Sequence, residues 1–167
     1  MQPTNPRFLI GAIGVFSFSL VAVGVAMAQF LNLAACPLCI WQRIFYLLIA
    51  LFAAVGFTLA TLGNVRRFFA FLMAIAAACG LFVAGYQVWI QRFSKAATCG
   101  MNEPWWETIV YWLGERMPLL FGVNGLCSDP AWKFLSLSIA DWSALLFSGI
   151  LTGSLVAALM RSPVQTR

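Results

Sequence analysis

The chain has 167 residues, 62% hydrophobic and only 9% charged, against about 25% charged in soluble domains, so a water-soluble globule is excluded. It contains no histidine, which removes imidazole metal ligands and every catalytic pairing that needs a His base. The net charge of +5 does not point to nucleic acid, because the basic residues stand at the ends of apolar runs instead of gathering on one solvated face.

Phe8–Phe30 is the first of four apolar runs, followed by Ile44–Leu62, Phe68–Ile90 and Trp142–Met160. Each approaches or exceeds the roughly 20 residues with which a helix crosses a hydrocarbon core of about 30 Å. None carries a charge, and a lone apolar segment in lipid satisfies its backbone only as a helix. The predicted fold is therefore all-α: an antiparallel four-helix transmembrane bundle, one membrane domain over residues 1–167. Ala26-Met27-Ala28 gives the first run the look of a signal-peptide cleavage site. The run is longer than the usual h-region of about 7–15 residues and only Arg7 precedes it, so it is read as a retained span.

The first connection, residues 31–43, holds Cys36-Pro37-Leu38-Cys39. C-x-x-C spacing is a redox arrangement in which one thiol attacks and its neighbour resolves. Pro37 suits a position just ahead of or within a first helical turn, where its missing N–H costs little. Cys39 then lies near a helix N-terminus, whose dipole favours a thiolate. Arg43 follows four residues later, one turn along the same helix face. A cation at the lipid boundary calls for an anion, water or a polar ligand beside it. That makes Arg43 a functional candidate as well as a possible snorkelling anchor.

In the third run, Ala74, Ala77, Ala78, Gly80, Ala84 and Gly85 allow close helix approach. Cys79 among them is read as a small packing residue. Gln87 and Gln91, near the end of that run, are read first as helix-to-helix hydrogen-bonding glue and second as ligand contacts. The long connection 91–141 carries Cys99 and Cys127 around Trp105, Trp106, Tyr111, Trp112 and Phe121. Aromatic residues of this kind favour the membrane interface, so Trp105–Leu113 is predicted to be a short interfacial helix. The four loop cysteines admit a redox relay, purely structural disulfides, or a zinc-stabilised four-cysteine scaffold. Structural zinc usually takes two close pairs, which Cys99 and Cys127 do not form; no metal is expected.

Orientation follows from the basic residues. With four spans, Arg7, Arg66, Arg67, Arg161 and Arg167 share one side with no acidic residue. Arg92, Lys95, Arg116 and Lys133 share the other with Glu103, Glu107, Glu115, Asp129 and Asp141. Both termini and the Gly63–Arg67 loop are predicted to be cytoplasmic, and both cysteine-bearing loops to face outward. Disulfides persist in oxidising compartments such as the bacterial periplasm, so the cysteines support the same orientation independently.

Cys36-Pro37-Leu38-Cys39-Ile40-Trp41-Gln42-Arg43, Ala97-Thr98-Cys99, and the stretch from Cys127 through Trp132-Lys133-Phe134-Leu135-Ser136-Leu137 to Trp142 resemble the disulfide bond formation protein B (DsbB) family of bacterial inner membranes. The resemblance implies an enzyme: a quinone-dependent thiol oxidase that reoxidises a periplasmic thioredoxin-fold protein, DsbA-like, and passes electrons to ubiquinone or menaquinone. The DsbA–DsbB–quinone relay keeps the bacterial periplasm oxidising. By matching position, Cys99 receives the attack of the partner thiolate. Cys127 is then released and attacks Cys36, and Cys39 leaves as the thiolate that donates to the quinone polarised by Arg43. The resemblance also implies that Cys39 and Arg43 bind the quinone, and that lipid is the surrounding partner. Where some family members carry an acid-His pair near the end of the third span, this chain has Gln91-Arg92. A vitamin K epoxide reductase-like quinone reductase is the neighbouring alternative.

Overall fold

The computed structural model describes residues 6–59, 63–93, 105–123, 125, 127–128 and 132–160. Four long helices, α1 (Pro6–Phe30), α2 (Pro37–Thr58), α3 (Gly63–Phe93) and α6 (Ile139–Leu159), are each long and apolar enough to cross a membrane. Between α3 and α6 lie α4 (Trp105–Arg116), the single turn α5 (Pro118–Phe121) and a two-stranded hairpin of β1 (Lys133–Phe134) and β2 (Leu137–Ser138). This is the expected all-α multi-pass membrane protein.

The helices start ahead of the apolar runs, and the reason is chemical. Hydropathy leaves out polar residues that are nonetheless helical. Thus α2 begins at Pro37 and not Ile44, with Cys36 as N-cap in extended conformation (φ −90°, ψ 163°) and Pro37 in the first turn. The C-x-x-C sequence is therefore not a loop ahead of the helix but its cap and first turn. Gly63–Arg67, expected as a loop, is the start of α3, where Arg66 donates to the Met160 carbonyl at the end of α6 (3.3 Å). Leu62, the expected end of the second span, lies outside the described residues, as do Lys95, Glu103, Asp129, Arg161 and Arg167.

The bundle is ordered α1–α2–α3–α6, with the tightest packing between α3 and its two neighbours. One stripe of α3, Ala70, Met73, Ala77, Gly80, Ala84 and Gln87, faces the interior, at the three- and four-residue spacing of a buried helix face. Gly80 is needed there: an added Cβ would collide with the Phe147 ring of α6. Phe147 in turn stacks on Tyr46 of α2 (centroids 4.1 Å apart, planes 6° apart). Ala78, Cys79 and Gly85 are exposed on the opposite face. Cys79 is thus not a packing residue of the bundle interior, contrary to expectation. The sequence pattern hid this because small residues populate both faces of the helix. Outward-facing Phe8, Phe18, Phe68, Phe82, Leu145 and Leu159 give the bundle the apolar exterior that lipid requires.

Of the neighbouring pairs around the bundle, α1 and α6 pack least closely, which leaves an opening beside the cysteine end. At that end α6 starts with a capping box: Asp141 N–H donates to Ser138 Oγ (3.3 Å) and Ser138 N–H to Asp141 Oδ2 (2.9 Å). Arg92 of α3 adds an ion pair to Asp141 Oδ1 (2.7 Å), fastening the two helix ends together. The hairpin ahead of α6 turns through Leu135 and Ser136, both at positive φ (51° and 66°), the geometry of a two-residue primed turn. Trp142 Nε1 secures it by donating to the Phe134 carbonyl (3.2 Å).

Candidate functional site

Capping and helix periodicity put Cys36 and Cys39 side by side at the start of α2, with Sγ atoms 3.3 Å apart. Both are free thiols. Gln87 arrives from the interior stripe of α3 and is 3% exposed. Its Nε2 donates to Cys36 Sγ (3.3 Å) and to Cys39 Sγ (3.2 Å). Gln42, one turn into α2 and 4% exposed, donates through Nε2 to Gln87 Oε1 (2.8 Å). Gln87 thus joins two helices, the first of its expected roles, and also touches the sulfurs. Gln42 was passed over in the sequence because nothing in a C-x-x-C-x-x-Q run says which way an amide points.

Cys127 comes to the same place from the long connection. It packs with Cys36, Leu38, Cys39, Ile90 and Trp106 and hydrogen-bonds Cys36. Its approach is set two residues earlier. The Gly125 N–H donates to the Ala35 carbonyl (3.0 Å), and a Cβ at Gly125 would stand 2.5 Å from the Ala34 carbonyl oxygen. The two loops therefore meet backbone to backbone. The Cys36 thiol is pushed far up by its hydrogen bond to Cys127, then by that to Cys39 and by burial. The same bond with Cys36 lowers Cys127 against the opposing effect of burial, helped by the Leu38 backbone at the start of α2. A sulfur at Cys127 that carries charge beside Cys36 is arranged for attack on it. Cys99 lies outside the described residues.

Arg43 and Cys39 line one cavity, as their shared helix face predicts, but the guanidinium does not hydrogen-bond the sulfur among the described contacts. Its Nη1 donates to the Leu120 carbonyl of α5 (2.8 Å) and its Nη2 to the Gly24 carbonyl of α1 (3.3 Å). The cation acts on Cys39 through space, held by carbonyls from two other elements. The cavity, about 250 Å³, lies between α1, α2 and α6. Its walls are largely apolar, including Leu20, Val23 and Met27 of α1 and Leu146 of α6. Its polar groups are few: Cys39, Gln42, Arg43, Gln87 and Gln91, and the Tyr46–Ser143 hydroxyl pair (3.1 Å) deeper in the bundle. An apolar chamber with one cation and a few directed donors suits a flat, neutral ring that gains negative charge on its oxygens. Such a quinone head group fits this lining by chemistry.

α4 covers the site from the side, as a helix somewhat longer than the expected Trp105–Leu113. Val110 is buried against Ile40 and Phe121, while Trp105 and Trp112 are exposed.

Comparison with known proteins agrees with this chemistry. A family model described as "Disulfide bond formation protein DsbB" matches residues 6–157. Proteins named disulfide bond formation protein B are similar over most of their length. That of Dechloromonas aromatica is 40% identical over 146 residues, covering 86% of this chain and 87% of the relative. That of Nitrosospira multiformis is 36% identical over 161 residues, covering 96% of each. That of Nitrosomonas europaea is 37% identical over 147 residues, covering 85% and 88%.

Proposed function

The chain belongs to the disulfide bond formation protein B family, and from that premise we propose that it is a thiol:quinone oxidoreductase of a bacterial inner membrane. In this reading it is a single membrane domain with both termini cytoplasmic. It reoxidises a periplasmic DsbA-like dithiol protein and passes the electrons to ubiquinone or menaquinone. One observation carries the reading: Cys127 lies against Cys36, while Cys39, the partner of Cys36, lines an apolar cavity with Arg43.

The relay starts with both pairs oxidised. The thiolate of the partner attacks Cys99, whose role rests on the family resemblance, and Cys127 is released with the electron pair. Cys127 attacks Cys36, the Cys36–Cys39 bond breaks, and Cys39 leaves as a thiolate facing the cavity. The second thiol of the partner then resolves the mixed disulfide at Cys99. Cys99 attacks Cys127, the Cys36–Cys127 bond breaks, and Cys36 and Cys39 are left as a dithiol. A quinone held in the cavity would accept the two electrons and two protons of that dithiol as the Cys36–Cys39 bond re-forms. Arg43 supplies the fixed positive charge there, and Leu20, Val23 and Leu146 keep water out. The exposed aromatic face of α4 is read as lying on the outer leaflet.

Anaerobic mixing of the purified protein with a reduced DsbA-like protein and a short-chain quinone tests the proposal. One quinol is expected for each partner disulfide formed. Stoichiometric zinc in the purified protein, with no quinol formed, would overturn it in favour of a scaffold.

A further inference from the structure

Cleavage of the Cys36–Cys39 bond requires a stabilised leaving group. Cys127 attacks Cys36 Sγ, the Cys36–Cys127 bond forms, the Cys36–Cys39 bond breaks, and the electron pair stays on Cys39 Sγ. No proton and no external oxidant enters this exchange. Two side-chain donors reach Cys39 Sγ among the described hydrogen bonds, the Cys36 thiol (3.3 Å) and Gln87 Nε2 (3.2 Å). Once Cys36 is bonded to Cys127 it has no S–H to give. Both guanidinium nitrogens of Arg43 that form hydrogen bonds are committed to carbonyls. Gln87 is left as the side-chain donor, beside a hydrogen bond from the Cys36 backbone.

An amide helps a thiolate only when its NH₂ group faces the sulfur, since its carbonyl oxygen would repel the charge. Gln42 fixes that choice. Its Nε2 holds Gln87 Oε1 at 2.8 Å, closer than the Cys39 thiol, which also donates to this oxygen at 3.7 Å and loses that bond once it is a thiolate. Rotating the Gln87 amide alone, with Gln42 as it stands, would bring two NH₂ groups face to face in a buried site, leaving donors unpaired at a cost.

We propose that Gln87 is a further catalytic residue, which holds the charge on Cys39 as that sulfur leaves Cys36, and that Gln42 is the positioning residue that orients it. A neutral amide does this without bringing a second charge into an apolar site, where an unpaired ion is expensive. The assignment rests on the reading of Cys36–Cys39 as a redox pair.

The test uses the full-length protein in detergent with Cys79, Cys99 and Cys127 changed to Ala, so that Cys36–Cys39 is the one disulfide that can form. It is equilibrated with glutathione buffers, quenched and denatured, and its thiols are counted by alkylation. Hydrogen bonds to charged groups are among the stronger ones. In mildly alkaline buffer Gln87→Leu is therefore expected to shift the equilibrium about tenfold toward the disulfide, which is about 30 mV for a two-electron couple. Gln42→Leu is expected to shift it the same way by a smaller factor, because the amide remains but is no longer oriented. In buffer acidic enough to protonate both thiols, both variants should return to the parent value. A packing defect would shift the equilibrium equally at either pH, and that result, or an unshifted Gln87→Leu, overturns the assignment. A parent protein that forms no Cys36–Cys39 disulfide defeats the redox-pair reading itself, so the two failures are distinguishable.

Discussion

Arg43 makes its two recorded hydrogen bonds through different nitrogens, one to Leu120 in α5 and one to Gly24 in α1. A planar fork can hold two carbonyls in fixed directions and still present its positive face to the cavity, whereas an ammonium is a hydrated point charge. Arg43→Lys is therefore expected to keep partial turnover with a raised KM for quinone. Arg43→Met should lose more, about 2–4 kcal/mol of transition-state stabilisation if the cation acts as a preorganised donor to developing negative charge. Quinone titrations on folded variants check this, with thiol exchange between the partner protein and the Cys99–Cys127 pair as the control. The exchange should survive in both variants, because it takes place outside the cavity. Unchanged quinone kinetics in Arg43→Met would reduce the residue to an interfacial anchor.

The elements were legible in the sequence to different depths. Four uncharged apolar runs dictate four helices because lipid offers the backbone no other partner, and Pro37 correctly announced the start of α2. Hydropathy could not see that Gln42 and Arg43 are helical, since their polarity is spent inside the bundle on Gln87 and on carbonyls of α1 and α5. Nor could periodicity assign Cys79 to the outer face of α3, because a run of alanines around it has no apolar contrast. The resemblance implied that the two cysteine loops meet, but the contact that joins them was invisible: it depends on Gly125, whose N–H reaches Ala35 across a gap too narrow for a side chain. Gly125→Val should push these loops apart. The expected result is slower transfer between Cys127 and Cys36, by tenfold or more if geometry supplies the rate as it does for oriented intramolecular reactions. Quinone KM should stay near its original value, because Gly125 is not among the residues lining the cavity. Stopped-flow quinol formation after pre-reduction of each pair separates the two steps, and a normal transfer rate in the folded variant would show that the loop contact is dispensable.

At the scale of the whole molecule, the orientation rests on charge. Described residues Arg7, Arg66 and Arg67 stand at the end of the bundle opposite the cysteines, while the acidic residues of the chain all fall on the cysteine side by sequence. On the orientation proposed above, the positive-inside bias puts the cysteine end in the periplasm. The cysteines themselves report on it at three levels of access. Cys127 is partly accessible, Cys36 is buried at 3% exposure, and Cys79 is exposed near the middle of α3, where its surroundings are lipid. Reactivity orders Cys127 and Cys36 the same way, since Cys127 is lowered by its hydrogen bond with Cys36 while the Cys36 thiol is raised by that same bond. A lower thiol pKa leaves more thiolate at neutral pH, and the thiolate is the form that alkylates. In intact spheroplasts under reducing conditions, a membrane-impermeant maleimide should therefore label Cys127 well before Cys36. It should leave Cys79 untouched, while a small lipophilic maleimide reaches Cys79 as well. Mass spectrometry of single-cysteine peptides reads out the order. Labelling of Cys127 only after the inner membrane has been opened would invert the molecule and move the thiol exchange to the cytoplasm, where glutathione and thioredoxin keep thiols reduced.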